Sequence, residues 1–100
     1  MKIAIVILNW NGHKLLEEFL PSVVNNSGDN PIYIIDNNSD DNSIDFLNKN
    51  YINLKIIRND KNYGYAKGYN EGLKHVDEEV YCLLNNDVEV TQGWLDPIIK

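Results

Sequence analysis

The chain has 100 residues, 43% of them apolar and 24% charged, with 15 acids against 9 bases for a formal charge of −6. That is one small domain, able to bury roughly 60–70% of its unfolded surface; it is too apolar to be disordered, and no apolar run is long enough to cross a bilayer. The acidic balance, without any clustered basic face, argues against binding to a nucleic-acid backbone.

Ile3-Ala4-Ile5-Val6-Ile7-Leu8 is a continuous apolar run bounded by a polar turn, the pattern of a central parallel strand covered on both faces. Met1-Lys2 leads into it without the basic stretch, longer apolar core and cleavage site of a signal peptide. A cytoplasmic location is therefore expected, with peripheral attachment to the inner face of the membrane compatible with it. From His13 to Asn26, Leu15, Leu16, Phe19, Leu20, Val23 and Val24 recur at helical spacing, and Pro21 is expected to bend or locally break that helix. Residues 32–35 repeat the buried-strand pattern and end at Asp36. The next helix is expected to start near Asp40 or Asp41, whose side chains can cap it, and to carry Ile44, Phe46 and Leu47.

Residues 54–57 form a third predicted strand and 59–63 a turn. Residues 64–76 have a helical pattern despite Gly64, Gly68 and Gly72, which fall on one face. Residues 80–84 are a fourth predicted strand, again with the composition of a buried one. The lone Cys82 within it excludes a disulfide framework or a multi-cysteine zinc site and is expected to be structural. A last short helix from near Thr91 would hold Trp94, Leu95 and Ile98, with Pro97 limiting its regularity. The order βαβαβαβ predicts a single α/β domain over residues 1–100, a parallel sheet flanked by helices with right-handed crossovers.

Ligands of open α/β sheets bind beyond the carboxyl ends of the strands, and all four predicted ends here are polar. The chain has sixteen asparagines, many in groups that form turns, such as Asn9-Trp10-Asn11-Gly12 and Asp36-Asn37-Asn38-Ser39-Asp40-Asp41. Asp36 and Asp87 follow strands directly, where a carboxylate either caps the next turn or accepts from a base or ribose or ligates a cation. Asn85-Asn86-Asp87, with Glu89 nearby, is a group of hard oxygen donors suited to Mg²⁺ or Mn²⁺. So acidic a site repels a phosphate unless a cation lies between, which a metal–diphosphate ligand provides. The glycine face of the third helix allows close packing on the sheet, approach of a phosphate or ribose, or both, with Lys61, Asn62 and Asn70 as donors. Trp10 can stack on a base, while Trp94 is expected in the core. Neither the dinucleotide glycine fingerprint nor a phosphate loop occurs, and His13 and His75 lack a second histidine at ligand spacing.

Four segments, Val6 to Gly12, Ile35 to Asp41, Asn62 to Gly72 and Leu83 to Val90, resemble in order and spacing the amino-terminal half of a family 2 glycosyltransferase of the GT-A fold, especially the rhamnosyltransferase-like members. The resemblance implies a Rossmann-like nucleotide-binding half and a nucleotide-diphosphate sugar donor. It places Leu8, Asn9 and Trp10 against the nucleoside and Asp36 and Asn37 at the base and ribose. The stretch containing Asn62, Gly64, Lys67 and Asn70 borders the ribose and diphosphate, with Asn86 also in the donor site. Asp87 falls on the last acid of the family's Asp-x-Asp motif and would hold Mg²⁺ or Mn²⁺. Members of this type invert the anomeric centre, transferring sugar to a saccharide or lipid-linked acceptor in cell-surface polysaccharide synthesis. The chain departs from the pattern in two respects. Asn85 stands where the motif has its first acid, and the family's domain extends well beyond the point reached by Lys100, so this chain is expected to be the donor-binding part, without the general base and inactive on its own.

Two other readings stay open from the residues alone. One is a stand-alone nucleotide-binding or regulatory module without catalysis. The other, an acidic phosphoacceptor domain, needs a fifth strand bearing a lysine, and the chain has none. An uncovered sheet edge after the fourth strand is expected to favour a homo-oligomer.

Overall fold

The β-branched runs form one parallel sheet in a computed structural model that describes residues 2–99, with backbone only at Ile98 and Ile99. Strands β1 (Ala4–Asn9), β2 (Ile32–Asp36), β3 (Lys55–Arg58) and β4 (Tyr81–Leu84) lie in the order β3-β2-β1-β4. All three pairings are parallel. Helices α1 (His13–Asn26), α2 (Ser43–Asn50) and α3 (Tyr65–Leu73) make the crossovers, and α4 (Asp96–Ile99) follows β4. The expected α/β architecture is therefore present.

Strand order decides which face each helix covers. The chain steps outward from β1 to β2 to β3, then returns past two strands to the opposite edge. A right-handed crossover places the returning helix on the other face from the outward ones. Accordingly Ile5, Ile7, Ile32 and Ile34 pack with Leu16, Leu20 and Val23 of α1 and Leu47 of α2. On the opposite face Ala4, Val6, Tyr33 and Ile35 pack with Tyr69 of α3. Reversal of the direction of winding puts the topological switch point between β1 and β4, where ligands of such sheets bind.

Several expectations change at this level. α1 runs through Pro21 without a break. The proline removes a single backbone bond, Ser22 Oγ donates to the Phe19 carbonyl at 3.0 Å, and the buried Leu16, Leu20 and Val23 hold both halves on the sheet. α2 begins at Ser43, and Asp41 serves its first turn by accepting from the Ser43 amide at 2.9 Å and the Ser43 hydroxyl at 2.5 Å. The last helix starts at Asp96 and not near Thr91, because Gly93 takes a left-handed φ of 77° that no helix continues through. Trp94 packs against the core and its indole N–H donates to Ser27 Oγ at 3.1 Å. Ile98, expected on the core face of that helix, has its side chain outside the described residues. β4 is an edge strand, with Tyr81 44% and Leu83 48% exposed, and is not covered on both faces. Cys82 within it is half-buried, and burial pushes its thiol pKa up.

Candidate functional site

Successive side chains of a strand face opposite sides of the sheet, and this alternation sorts the predicted site residues. Asn9 and Asp36 are register partners at the ends of β1 and β2, on the α1 face, and both are fully buried. Asn9 Nδ2 donates to Asp36 Oδ1 at 3.0 Å and Ser39 Oγ donates to the same oxygen at 2.7 Å. Asp36 Oδ2 accepts from the Ser39 amide at 2.8 Å and pairs with Arg58 Nε at 3.8 Å. Protein groups thus engage both oxygens of this carboxylate. Asp36 thereby anchors the loops that follow β1 and β2.

Its neighbour Asn37 turns the other way and seats α3. Asn37 Nδ2 donates to the Gly64 carbonyl at 2.9 Å, while Asn59 Nδ2 donates to Asn37 Oδ1 at 2.8 Å and to the Gly68 carbonyl at 3.2 Å. Two of the three glycines on that helix are there for close packing. A Cβ on Gly68 would come within 2.5 Å of the Asn37 amide, and one on Gly72 within 2.4 Å of Ile35. Gly64 differs: its φ of 80° suits glycine, and the space beneath it is open.

At the switch point lies a cleft of about 500 Å³. Leu8 and Asn37 form its floor on the β1–β2 side, Trp10 and Leu15 one wall, and Asn62, Gly64, Tyr65 and Tyr69 the wall made by α3 and its approach. Asn85, Asn86 and Asp87, directly after β4, close the remaining side. Trp10 is 52% exposed, so its ring offers a stacking surface. Asp87 is the one acidic side chain in the lining, which holds no basic one; the other polar side chains are amides, phenols and the Trp10 indole. Burial pushes the Tyr69 phenol up to about 12, so it stays protonated and able to donate.

Of the residues singled out in the sequence, the cleft brings together Leu8, Trp10, Asn37, Asn62, Gly64, Asn86 and Asp87. Asn9 touches it indirectly, accepting from Asn86 Nδ2 at 3.4 Å. Lys67 and Asn70 are exposed on α3 outside the lining, and the Lys67 ammonium lies 5.0 Å from the Tyr63 ring centroid. Glu89 is also exposed outside it. Leu15, Tyr65 and Tyr69 were missed. The two tyrosines stand four residues apart on a helix, hence on one face, and that spacing was the available signal.

A divalent cation can be tested against this donor set. Asp87 supplies one carboxylate beside the amide side chains of Asn85 and Asn86, and Asn85 Oδ1 already accepts from Tyr65 Oη at 3.1 Å. Among the described residues no three acidic, histidine or cysteine side chains gather as a metal cage. This set fits a Mg²⁺ or Mn²⁺ held by one protein carboxylate, ligand phosphates and water, and does not fit a resident all-protein site.

The model of the family described as Glycosyl transferase family 2 matches residues 4–100. This chain belongs to glycosyl transferase family 2. No match is found among curated protein sequences. Among solved structures, the family 2 chain is similar to S. aureus TarS 1–349, with 23% identity and a TM-score of 0.83 over 99% of this chain and 31% of that one. TarS 1–349 in complex with UDP-GlcNAc matches with 23% identity and a TM-score of 0.84, over 99% of this chain and 30% of that one. The mannosyltransferase PcManGT from Pyrobaculum calidifontis, in complex with GDP-Man and Mn²⁺, matches at 17% identity with a TM-score of 0.74 over 88% of this chain and 28% of that one. The family 2 chain therefore has the Rossmann-like sheet of the GT-A fold, and it spans less than a third of the length of these structures. Among the described residues no helix is long and apolar enough to cross a membrane.

Proposed function

We propose that the β1–β4 cleft binds the nucleoside diphosphate of a sugar donor, and that this chain is the donor-binding part of an inverting, divalent-metal-dependent glycosyltransferase of cell-surface polysaccharide synthesis, working on the cytoplasmic side. The cleft itself carries the assignment: at the switch point it combines an exposed aromatic ring, neutral amides and a single carboxylate. TarS in complex with UDP-GlcNAc and PcManGT in complex with GDP-Man and Mn²⁺ support a nucleotide-sugar ligand.

In this assignment Trp10 stacks on the base, and Leu8 and Asn37 meet the nucleoside from below. Asn62 and the Gly64 backbone flank the ribose and diphosphate, and Asp87 and Asn86 face the phosphates. Asp87, with Asn85 or Asn86 as amide oxygen ligand, would hold the cation; when bound, it neutralises the charge that collects on the departing diphosphate. A saccharide or lipid-linked hydroxyl attacks the anomeric carbon from the face opposite the diphosphate. The bond from that carbon to the diphosphate oxygen breaks, and the nucleoside diphosphate leaves with the electron pair. The attacking hydroxyl gives its proton to a base outside this cleft, whose described lining holds no acidic or basic side chain other than Asp87.

Calorimetric titration with UDP, dTDP and GDP, each with and without Mn²⁺, tests the assignment. One nucleotide is expected to bind with Mn²⁺, and Asp87→Ala to weaken it about thirtyfold, equivalent to about 2 kcal/mol. A folded chain that binds none of the three would overturn the donor site. Binding without any transfer by the whole protein would favour a non-catalytic module. We also propose self-association through the open edge of β4 beside Tyr81 and Leu83. Sedimentation mass should rise with concentration, and a constant monomer mass would count against it.

A further inference from the structure

Asp87 is placed by the residues just before it. β4 is an edge strand with β1 as its neighbour, so its exit toward the cleft depends on side-chain ties. Three successive residues are tied. The Leu84 carbonyl accepts from Tyr69 Oη at 3.1 Å, Asn85 Oδ1 accepts from Tyr65 Oη at 3.1 Å, and Asn86 Nδ2 donates to Asn9 Oδ1 at 3.4 Å. Asp87 follows, and none of the ion pairs among the described residues involves it.

The Tyr69 tie comes from the more deeply buried of the two tyrosines. Its hydroxyl also accepts from the Leu8 amide at 3.3 Å, so one oxygen joins α3 to both strands at the mouth of the cleft. Its ring is 3% exposed and packs with Ala4, Val6 and Ile35. Tyr65, one turn earlier, meets that ring edge-on at 5.1 Å. Close packing of Gly68 and Gly72 on β2 fixes the helix carrying both tyrosines. The α3 wall and the Asp87 side of the cleft are thereby coupled.

We propose that Tyr69, assisted by Tyr65, is a positioning residue: its hydroxyl ties the exit of β4 to α3 and so holds Asp87 at the place where a divalent cation would meet the diphosphate. This rests on the donor-site assignment above. Both hydroxyls are already engaged with protein groups at the exit of β4, so their loss should act through the placement of Asp87, on the metal-dependent part of binding.

Titration of UDP and GDP with and without Mn²⁺, on the wild-type chain and on Tyr69→Phe, separates the two parts. Tyr69→Phe keeps the buried ring, and the gain in affinity conferred by Mn²⁺ is expected to fall about tenfold. Tyr65→Phe, at an exposed position that cannot unfold the core, should reduce that gain about threefold and decides the matter if Tyr69→Phe does not fold. An unchanged Mn²⁺ gain in the folded variants, or equal losses with and without Mn²⁺, would overturn the positioning role and leave the donor site standing. Absence of any nucleotide binding by the wild type would overturn both.

Discussion

Replacing Asp36 by alanine is expected to cost about 4 kcal/mol of folding stability, a large part of what a domain of this size possesses. The carboxylate is fully buried and serves the Asn9 amide, the Ser39 hydroxyl and the Ser39 backbone N–H. Its removal leaves those buried donors unsatisfied, at about 1–3 kcal/mol each before relaxation. The Arg58 pair adds little, because that side chain is half exposed and water can replace its partner. Asp36→Asn keeps the volume but must aim an NH₂ group at one of the same donors, so about half the loss is expected. Urea unfolding followed by circular dichroism measures both. A loss below about 1 kcal/mol for the alanine variant would mean that water reaches the network.

Gly72→Val should destabilise by about 3 kcal/mol. Two effects oppose each other here. A side chain in place of glycine favours the helix by up to about 1 kcal/mol, less for valine because its β-branch is restrained against the preceding turn. Against that, the Cβ alone would lie 2.4, 2.5 and 2.6 Å from three carbons of Ile35. Ile35 is fully buried at the centre of the α3 face, so it has no solvent to move into. Overpacking wins, since α3 must lift off the sheet or Ile35 must leave its rotamer. Gly72→Ala should show the same sign with about half the size. A stabilised Gly72→Ala would show that the helix can shift outward at little cost.

Much of this molecule is legible in single segments. The runs before Asn9 and Asp36 state two central strands, because apolar residues without alternation suit a strand covered on both sides. The period of Leu16, Leu20 and Val23 states a helix with one buried face, and Asn11 and Asn38 adopt the left-handed backbone that asparagine tolerates in turns. Even the glycine spacing of α3 announces a close approach. The motif residues also lead to the end of the sheet where the cleft lies, since a strand's carboxyl end is where the chain turns polar.

The division of labour among those polar residues lies beyond local pattern. Asp36 and Asn37 are adjacent in sequence, yet one is locked under the loops and the other floors the cleft, because alternation sends them to opposite faces and only strand order says which face holds the cleft. β4 has the composition of a buried strand but lies at the edge, and no local feature states which strands will be its neighbours. Tyr65 and Tyr69 acquire their role only when α3 crosses back over β2 and β1. Local spacing determined the elements, their buried stripes and the turns; pairing order and helix face, which rest on contacts between residues far apart in the chain, decided which side chains share the cleft.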